Sequence, residues 1–94
     1  MEDLIDQEDI EEWMKKVPEW ENEGNSITRT VEYDDFMDAI DFVNGAAEVA
    51  EEAQHYPEIN VSSNTVTLRL MTDDQGGVTA LDFELASRID NLLD

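Results

Sequence analysis

Residues 59–70 have the sequence Ile-Asn-Val-Ser-Ser-Asn-Thr-Val-Thr-Leu-Arg-Leu, which predicts a β-hairpin. The pair Ser63-Asn64 in its middle is typical of a turn. Apolar residues alternate with polar ones on both sides of this turn, namely Ile59, Val61, Val66, Leu68 and Leu70. Because successive side chains of a strand point to opposite faces, the alternation predicts two paired strands with one buried face.

A long helix is predicted immediately before this hairpin. Asp34 or Asp35 can cap its start, and it should end before Pro57, because a residue that precedes proline avoids helical angles. Apolar residues recur at intervals of four and three, as one face of a helix requires, at Phe36, Ile40, Val43, Ala47 and Ala50. Ala39, Ala46 and Ala53 widen this stripe. Gly45 lies inside the helix, where it costs about 1 kcal/mol relative to Ala. We expect it to permit close packing of the helix on the sheet.

The N-terminal third predicts a short helix followed by another hairpin. The helix should begin near Asp6, which can cap it, and should be ended by Pro18. A short strand at 20–23 and a turn at 24–26 then lead to a strand at 27–33.

A last helix is predicted after a loop at 72–77. Thr79 and Asp82 have the spacing of a capping box, and apolar residues follow at helical intervals. The complete order is α-β-β-α-β-β-α. It predicts an α+β fold in which three helices cover one face of a four-stranded antiparallel sheet, as one domain over residues 1–94.

Acidic residues dominate the whole chain, with 25 Asp and Glu against 5 Lys and Arg and a formal net charge of −20. In molar salt the Debye length falls to about 3 Å, so repulsion between exposed carboxylates is screened. We therefore expect a halophilic source and a fold that loosens in dilute buffer. A protein that imitates DNA is the alternative, but it should concentrate its acids on one face. Direct binding to nucleic acid is disfavoured, because the surface repels phosphate.

Several site classes find no support in the sequence. There is no Cys for a disulfide or thiol chemistry, and a single His makes a metal site a poor expectation. Gly76-Gly77 lacks the Lys-Ser/Thr of a phosphate loop. The acidic start of the chain does not resemble a signal peptide, and no apolar run is long enough to span a membrane. We expect a cytoplasmic protein.

His55 is the candidate functional residue that stands out. Imidazole is the side chain whose ordinary pKa, about 6.5, lies closest to neutrality. His55 lies where the long helix gives way to a strand, and element ends commonly carry sites. The alternative is a solvated histidine that interacts with the last carbonyls of the helix. Trp20 has a similar alternative, since such a residue is more often a core anchor than a platform for a ligand.

Residues 51–57, Glu-Glu-Ala-Gln-His-Tyr-Pro, resemble the signature of the pterin-4a-carbinolamine dehydratases. In that family an acid is followed, after three residues, by His-His-Pro. A hairpin, a Thr-His pair and a loop into the last helix come next, which residues 61–66 and 71–79 and Asp82-Phe83 resemble. The resemblance implies the same α+β fold and a homodimer or homotetramer.

The implied reaction removes water from a 4a-hydroxytetrahydropterin to give the quinonoid dihydropterin. It needs one proton delivered to the leaving hydroxyl and one taken from a ring nitrogen, and histidines suit both transfers. This chain departs from the family at two of three histidines, which are Tyr56 and Asp73 here. It departs again at Ser63, where an aromatic residue is expected.

Two hypotheses follow from the resemblance. In the first, His55 is the main general acid and base, Asp73 replaces a proton acceptor or holds the pterin amino nitrogens, and Glu51 orients His55. The substrate-binding candidates are Tyr56, Pro57, Thr72, Asp74, Gln75 and Trp20. In the second, the fold persists as a pterin-binding or protein-interaction module with little catalysis. Neither hypothesis implies a metal or a bound cofactor, since the pterin is the substrate.

Overall fold

The computed structural model describes residues 4–93, and its centre is a four-stranded antiparallel sheet in the order β1-β2-β4-β3. The strands are β1 (Glu21–Asn22), β2 (Ile27–Glu32), β3 (Glu58–Ser62) and β4 (Thr65–Leu70). β2 pairs with β4 along its whole length. The two sequence-local hairpins therefore join into one sheet through their second strands, as the predicted fold requires.

The hairpin predicted from residues 59–70 is confirmed. Val61 pairs with Val66 across the turn, and Ser63 adopts the left-handed conformation with φ 58°. Val66, Leu68 and Leu70 are fully buried, whereas their neighbours on β4 are half-buried. The alternation read from the sequence is thus the alternation between the core face and the outer face of the sheet.

Three helices accompany the sheet, α1 (Gln7–Met14), α2 (Phe36–Ala53) and α3 (Ala80–Asn91). The Asp35 carboxylate caps α2 by accepting the backbone N–H of Asp38 at 2.8 Å. α2 ends at Gln54, whose φ of 54° turns the chain away from the helix before Pro57. Both ends of the long helix therefore lie where the sequence predicts them.

α1 differs from its prediction at both ends. Asp6 occupies the capping position, but its side chain forms no capping hydrogen bond. The helix also ends at Met14 rather than continuing to Pro18, because the chain tightens into a turn in which the N–H of Val17 donates to the carbonyl of Met14 at 3.1 Å. This turn buries Val17 completely.

The buried face of α2 includes Ala39, Ala46 and Ala50 of the predicted stripe, but the prediction was wrong for Phe36 and Ala47. Ala39, Phe42, Ala46 and Ala50 are buried, whereas Phe36 is 51% exposed and Ala47 is exposed. The inner face of α2 therefore combines three alanines with one large aromatic side chain, Phe42. Gly45 also has a different neighbour from the one expected, because a Cβ there would lie 3.3 Å from Cδ1 of Leu92 just beyond α3. Its close contact is between helices and not between helix and sheet.

The core is the layer between the sheet and the helices. It joins the inner face of the sheet to apolar side chains of α1, α2 and α3, among them Ile10, Phe42, Phe83, Leu85 and Ile89. The C-terminal part of α3 is fixed by Asp90, which accepts hydrogen bonds from Trp20 Nε1 at 2.8 Å and from Arg29 at 2.5 Å. No helix within residues 4–93 is long and apolar enough to cross a membrane. The α-β-β-α-β-β-α order and the four-stranded antiparallel sheet are confirmed.

Candidate functional site

His55 lies at the point where the chain leaves α2. The left-handed turn at Gln54 reverses the chain, and the backbone N–H of His55 still donates to the carbonyl of Ala50 at 3.2 Å. This geometry directs the imidazole toward the start of α3, and its side chain is only 13% exposed. His55 is therefore not a solvated residue at a helix end.

The imidazole meets a carboxylate that is completely buried. Nε2 of His55 is hydrogen-bonded to Oδ1 of Asp82, and Asp82 is 0% exposed. The other carboxylate oxygen, Oδ2, accepts the backbone N–H of Thr79 at 2.8 Å and the hydroxyl of Thr72 at 3.0 Å. Burying a carboxylate is costly unless hydrogen bonds replace its water, and here three protein donors do so.

The capping box at the start of α3 explains why Asp82 is in this position. Thr79 and Asp82 form the predicted box, and the same carboxylate that caps the helix also contacts His55. The spacing in the sequence reveals the cap. It does not reveal that the second oxygen of the carboxylate reaches a residue at the end of another helix.

A pocket of about 240 Å³ lies beside the imidazole. Two short segments line it, Gln54, His55 and Tyr56 after α2 and Thr72, Asp73 and Asp74 after β4. The hairpin formed by β3 and β4 brings the two segments together, because it returns the chain to the sheet end at which α2 stops. Enclosed sites for drug-sized molecules span about 300–1,000 Å³, so a pocket of this size that is open to solvent suits a single small ring system.

Five of the nine predicted site residues line this pocket, namely His55, Tyr56, Thr72, Asp73 and Asp74. Tyr56 is 60% exposed, so its hydroxyl is available to a ligand. Asp73 and Asp74 begin a short 3-10 turn, Asp73–Gln75, and both are exposed. The pocket therefore combines one oriented imidazole with two carboxylates and a phenol.

The other four predicted residues lie outside the lining of the pocket. Glu51 is exposed on α2 and lines a separate depression with Glu48 and Glu52, and the carboxylate bonded to His55 is that of Asp82 instead. Pro57 and Gln75 are half-buried next to residues that line the pocket. Trp20 is 3% exposed and is a core anchor, since its indole donates to Asp90.

Sequence reasoning missed Gln54 and Thr79 and treated Asp82 only as a helix cap and a matching residue of the signature. Gln54 contributes because its left-handed conformation places it at the mouth of the pocket. Thr79 is fully buried and donates to Asp82. The capping box was the available signal for Thr79 and Asp82, whereas Gln54 carried no signal of its own.

An imidazole oriented by a buried carboxylate is suited to proton transfer. The carboxylate holds the ring and favours the proton on the nitrogen that it contacts, which leaves the other nitrogen to exchange protons with a ligand. Among residues 4–93 there is no group of three or more His, Asp or Glu side chains that could hold a metal ion.

A protein-family model described as "Pterin 4 alpha carbinolamine dehydratase" matches residues 3–92. This chain belongs to that family. The carbinolamine dehydratase resemblance seen in residues 51–57 is thereby confirmed over nearly the whole sequence. Dehydratases of this kind are hydro-lyases that act on pterins, and the expectation of such an enzyme is confirmed at the level of the family.

Individual relatives support the assignment to the dehydratase family. A protein of Picosynechococcus sp. named "Putative pterin-4-alpha-carbinolamine dehydratase" is 44% identical over 89% of this chain and 91% of its own length. A protein of Acidobacterium capsulatum with the same name is 46% identical over the same shares.

Solved structures agree with the fold. A transcriptional coactivator/pterin dehydratase from Brucella melitensis has a TM-score of 0.91 and 29% identity, over 98% of this chain and all of that one. A pterin dehydratase-like protein identified as a RuBisCO assembly factor in the alpha-carboxysome has a TM-score of 0.63 at 19% identity, over 78% of this chain and 84% of that one. The second likeness concerns the fold alone.

Proposed function

We propose that this chain catalyses the dehydration of a 4a-hydroxytetrahydropterin to the quinonoid dihydropterin. The observation that supports this most strongly is the buried pairing of His55 with Asp82 at the edge of the pocket. In the reaction the C4a–O bond breaks, the hydroxyl leaves as water after receiving one proton, and a ring nitrogen gives up another proton as the C=N bond forms. No oxidant is required, because the substrate loses only the elements of water.

His55 serves both proton transfers in this proposal. It is the only histidine in the chain, so it delivers the proton to the leaving hydroxyl and takes one from the ring nitrogen in turn. A positioned acid or base of this kind contributes about 10²–10⁴-fold to a rate. Asp82 takes the orienting role that the sequence analysis gave to Glu51.

The two exposed carboxylates bind the pterin on the other side of the pocket. Asp73 and Asp74 face the same small volume as His55, and a pterin presents N–H donors on its amino group and ring nitrogens. Asp73, which stands where the family has a histidine, either accepts these hydrogen bonds or shares in proton removal. Tyr56 replaces another family histidine and supplies a hydroxyl at the exposed rim.

A second function is favoured by the same replacements. A chain that has one of three signature histidines could bind a pterin without turning it over, as a binding or interaction module. An enzyme and a binding module are distinguished by measuring turnover and ligand binding on the same protein. A module of this kind binds a stable pterin analogue but leaves a 4a-hydroxypterin to decay at its spontaneous rate.

A dehydration assay in molar KCl with wild type, His55→Ala and Asp73→Ala tests the proposal. We expect His55→Ala to lose about 100-fold or more of the catalysed rate, with a smaller loss in Asp73→Ala. Circular dichroism of each variant controls for folding. Equal rates in all three proteins would refute the assignment of these residues.

We further propose that the protein works in the cytoplasm of a halophilic organism as a homodimer or homotetramer. The net charge of −20 supports the halophilic habit. The edge strands β1 and β3 expose backbone groups that an oligomer can cover. Equilibrium sedimentation in molar KCl measures the oligomer, and a monomer under those conditions contradicts this part of the proposal.

A further inference from the structure

We propose that Thr72 is a positioning residue whose hydroxyl fixes the Asp82 carboxylate, so that His55 keeps its proton on Nε2 and presents Nδ1 to the ligand. This inference rests on the proposed function only in naming Nδ1 as the nitrogen that exchanges protons with the pterin. The arrangement of the hydrogen bonds stands independently of it.

When the Asp82 carboxylate is ionised, each hydrogen bond in this chain has only one possible direction. Oδ2 of an ionised Asp82 can only accept, so the Thr72 hydroxyl uses its one proton to donate to it at 3.0 Å. Oγ1 of Thr72 lies 2.8 Å from Oγ1 of Thr79, and Thr79 must therefore be the donor in that pair. The hydroxyl proton of Thr72 therefore lies on the side of Asp82, and that of Thr79 lies on the side of Thr72.

The two carboxylate oxygens of Asp82 consequently have different hydrogen-bond partners. Oδ2 is occupied by the Thr72 hydroxyl and by the backbone N–H of Thr79, which holds the plane of the buried carboxylate. Oδ1 is left for His55. Since an ionised carboxylate cannot donate, the neutral imidazole must carry its proton on Nε2 to make this hydrogen bond.

The other ring nitrogen, Nδ1, is left for the ligand. Nδ1 of His55 has no hydrogen-bond partner within residues 4–93. The only buried side-chain polar atom described there that lacks a partner is Ser26 Oγ, so Nδ1 is not a buried atom. Nδ1 is accordingly accessible, on a side chain that lines the pocket. An unprotonated Nδ1 is ready to accept a proton from a bound ring.

Thr72 also connects this network to the loop that carries the two pocket carboxylates. Its backbone N–H donates to the carbonyl of Gly77 at 2.7 Å, and its carbonyl accepts from the N–H groups of Gln75 and Gly76 at 3.0 Å. Both the backbone N–H and the backbone carbonyl of Thr72, the residue immediately before Asp73, are therefore held by hydrogen bonds within the loop. One side chain couples the position of the loop to the orientation of the imidazole.

The nitrogen-15 spectrum of the imidazole tests this inference directly. Because His55 is the only histidine, protein labelled at histidine gives a single pair of ring-nitrogen signals. At a pH where the ring is neutral, in molar KCl, we expect a protonated Nε2 and an unprotonated Nδ1 in the wild type. A wild-type spectrum with the proton on Nδ1 overturns the proposal, whatever the variants show.

Thr72→Val and Thr72→Ser are the matched variants. Valine has nearly the same shape and no hydroxyl, whereas serine keeps the donor. We expect Thr72→Val to mix the two tautomers and to lower kcat about 10-fold to 100-fold, the size of loss that follows removal of an outer hydrogen-bond partner at metal-bound histidines. Thr72→Ser should restore both the spectrum and the rate. Unchanged nitrogen shifts in Thr72→Val contradict the positioning role.

The spectrum separates this inference from the proposed function. If the chain is only a binding module, no variant turns over a 4a-hydroxypterin, yet Thr72→Val still changes the tautomer. If Thr72 has no positioning role, the tautomer is the same in all three proteins even though the wild type is active.

Discussion

The imidazole of His55 is hydrogen-bonded to the buried carboxylate of Asp82, a residue 27 positions further along the chain. His55 follows the C-terminal end of α2, and Asp82 lies in the first turn of α3. The contact therefore ties two helix ends together at the mouth of a pocket. The same hydrogen bond joins the end of α2 to the start of α3 and holds the orientation of the imidazole.

Asp82→Asn should impair both folding and activity. An amide here replaces one carboxylate oxygen by an NH2 group. If the NH2 group faces Thr72 and Thr79 it opposes two donors, and if it faces His55 it forces the proton of the ring onto Nδ1. In either orientation the hydrogen bonds to a charged carboxylate are replaced by weaker neutral ones. We expect the free energy of unfolding to fall by about 1–3 kcal/mol. We also expect the catalysed rate to fall strongly in protein that is still folded. Thermal melts and the dehydration assay measure the two effects.

Asp74→Asn is the matched control for Asp82→Asn. Asp74 is exposed at the pocket and makes no hydrogen bond among the described side chains 4–93. Its melting temperature should stay within about 4 °C of the wild type, since exposed substitutions change stability by about 0.5 kcal/mol at most. A similar loss of stability in both variants argues against a special role for the buried carboxylate.

Asp90→Ala should destabilise the protein without affecting the chemistry. The substitution leaves the Trp20 indole and the Arg29 guanidinium without their shared acceptor on α3. A loss of about 1–3 kcal/mol in the free energy of unfolding is expected for partly buried polar groups left unpaired. Turnover per folded molecule should be unchanged, because neither partner lines the pocket at His55. A selective loss of turnover would show that this cluster belongs to the site.

Alkaline pH should weaken the fold through Tyr33. Burial of the phenol raises its pKa above the ordinary value of 10.0, Arg29 opposes the shift and Asp38 adds to it. Above pH 10 the unfolded chain releases the phenolic proton while the folded chain keeps it, so the unfolded state gains stability. The contribution is therefore present below pH 10 and is lost as the pH rises through the folded-state pKa. Thermal melts from pH 8 upward should show a shallower decline in Tyr33→Phe. Identical declines in both proteins contradict this explanation.

Salt should stabilise this protein markedly. Screening of the net charge of −20 predicts a melting temperature in molar KCl that exceeds that in dilute buffer by more than about 5 °C, equivalent to about 1 kcal/mol for a domain of this size. A variant carrying Glu8→Gln, Glu11→Gln and Glu48→Gln, all at exposed helical positions, should respond less. A melting temperature that salt leaves unchanged or lowers would contradict the halophilic interpretation.

Most of the fold could be predicted from patterns that are local in the sequence. The hairpin of β3 and β4 was predictable because one buried face imposes strict alternation on residues such as Leu68 and Leu70. The caps at Asp35 and Asp82 were predictable because a capping side chain acts on a backbone group three residues away. The inner face of α2 was predictable only in part: Ala39 and Ala46 of the predicted stripe are buried, whereas Phe36, which the apolar pattern also includes, is exposed in the first turn of the helix.

The site was only partly predictable for a similar reason. The sequence indicated His55 and, within the predicted loop at 72–77, residues 72–74, and the structure places all of these at one pocket. It gave the orienting role to Glu51, which is near His55 along the chain, instead of to Asp82, which is near it in space. A contact between two helix ends depends on how the helices pack, and no periodicity along the chain records it.

The most direct test is the decay of a freshly generated 4a-hydroxytetrahydropterin in molar KCl, followed with wild type, with His55→Ala and without protein. The proposed mechanism predicts that the wild type shortens the lifetime of the carbinolamine and that His55→Ala returns it to nearly the spontaneous value while remaining folded. Wild type and His55→Ala with the same lifetime, whether accelerated or spontaneous, would contradict the central role of His55.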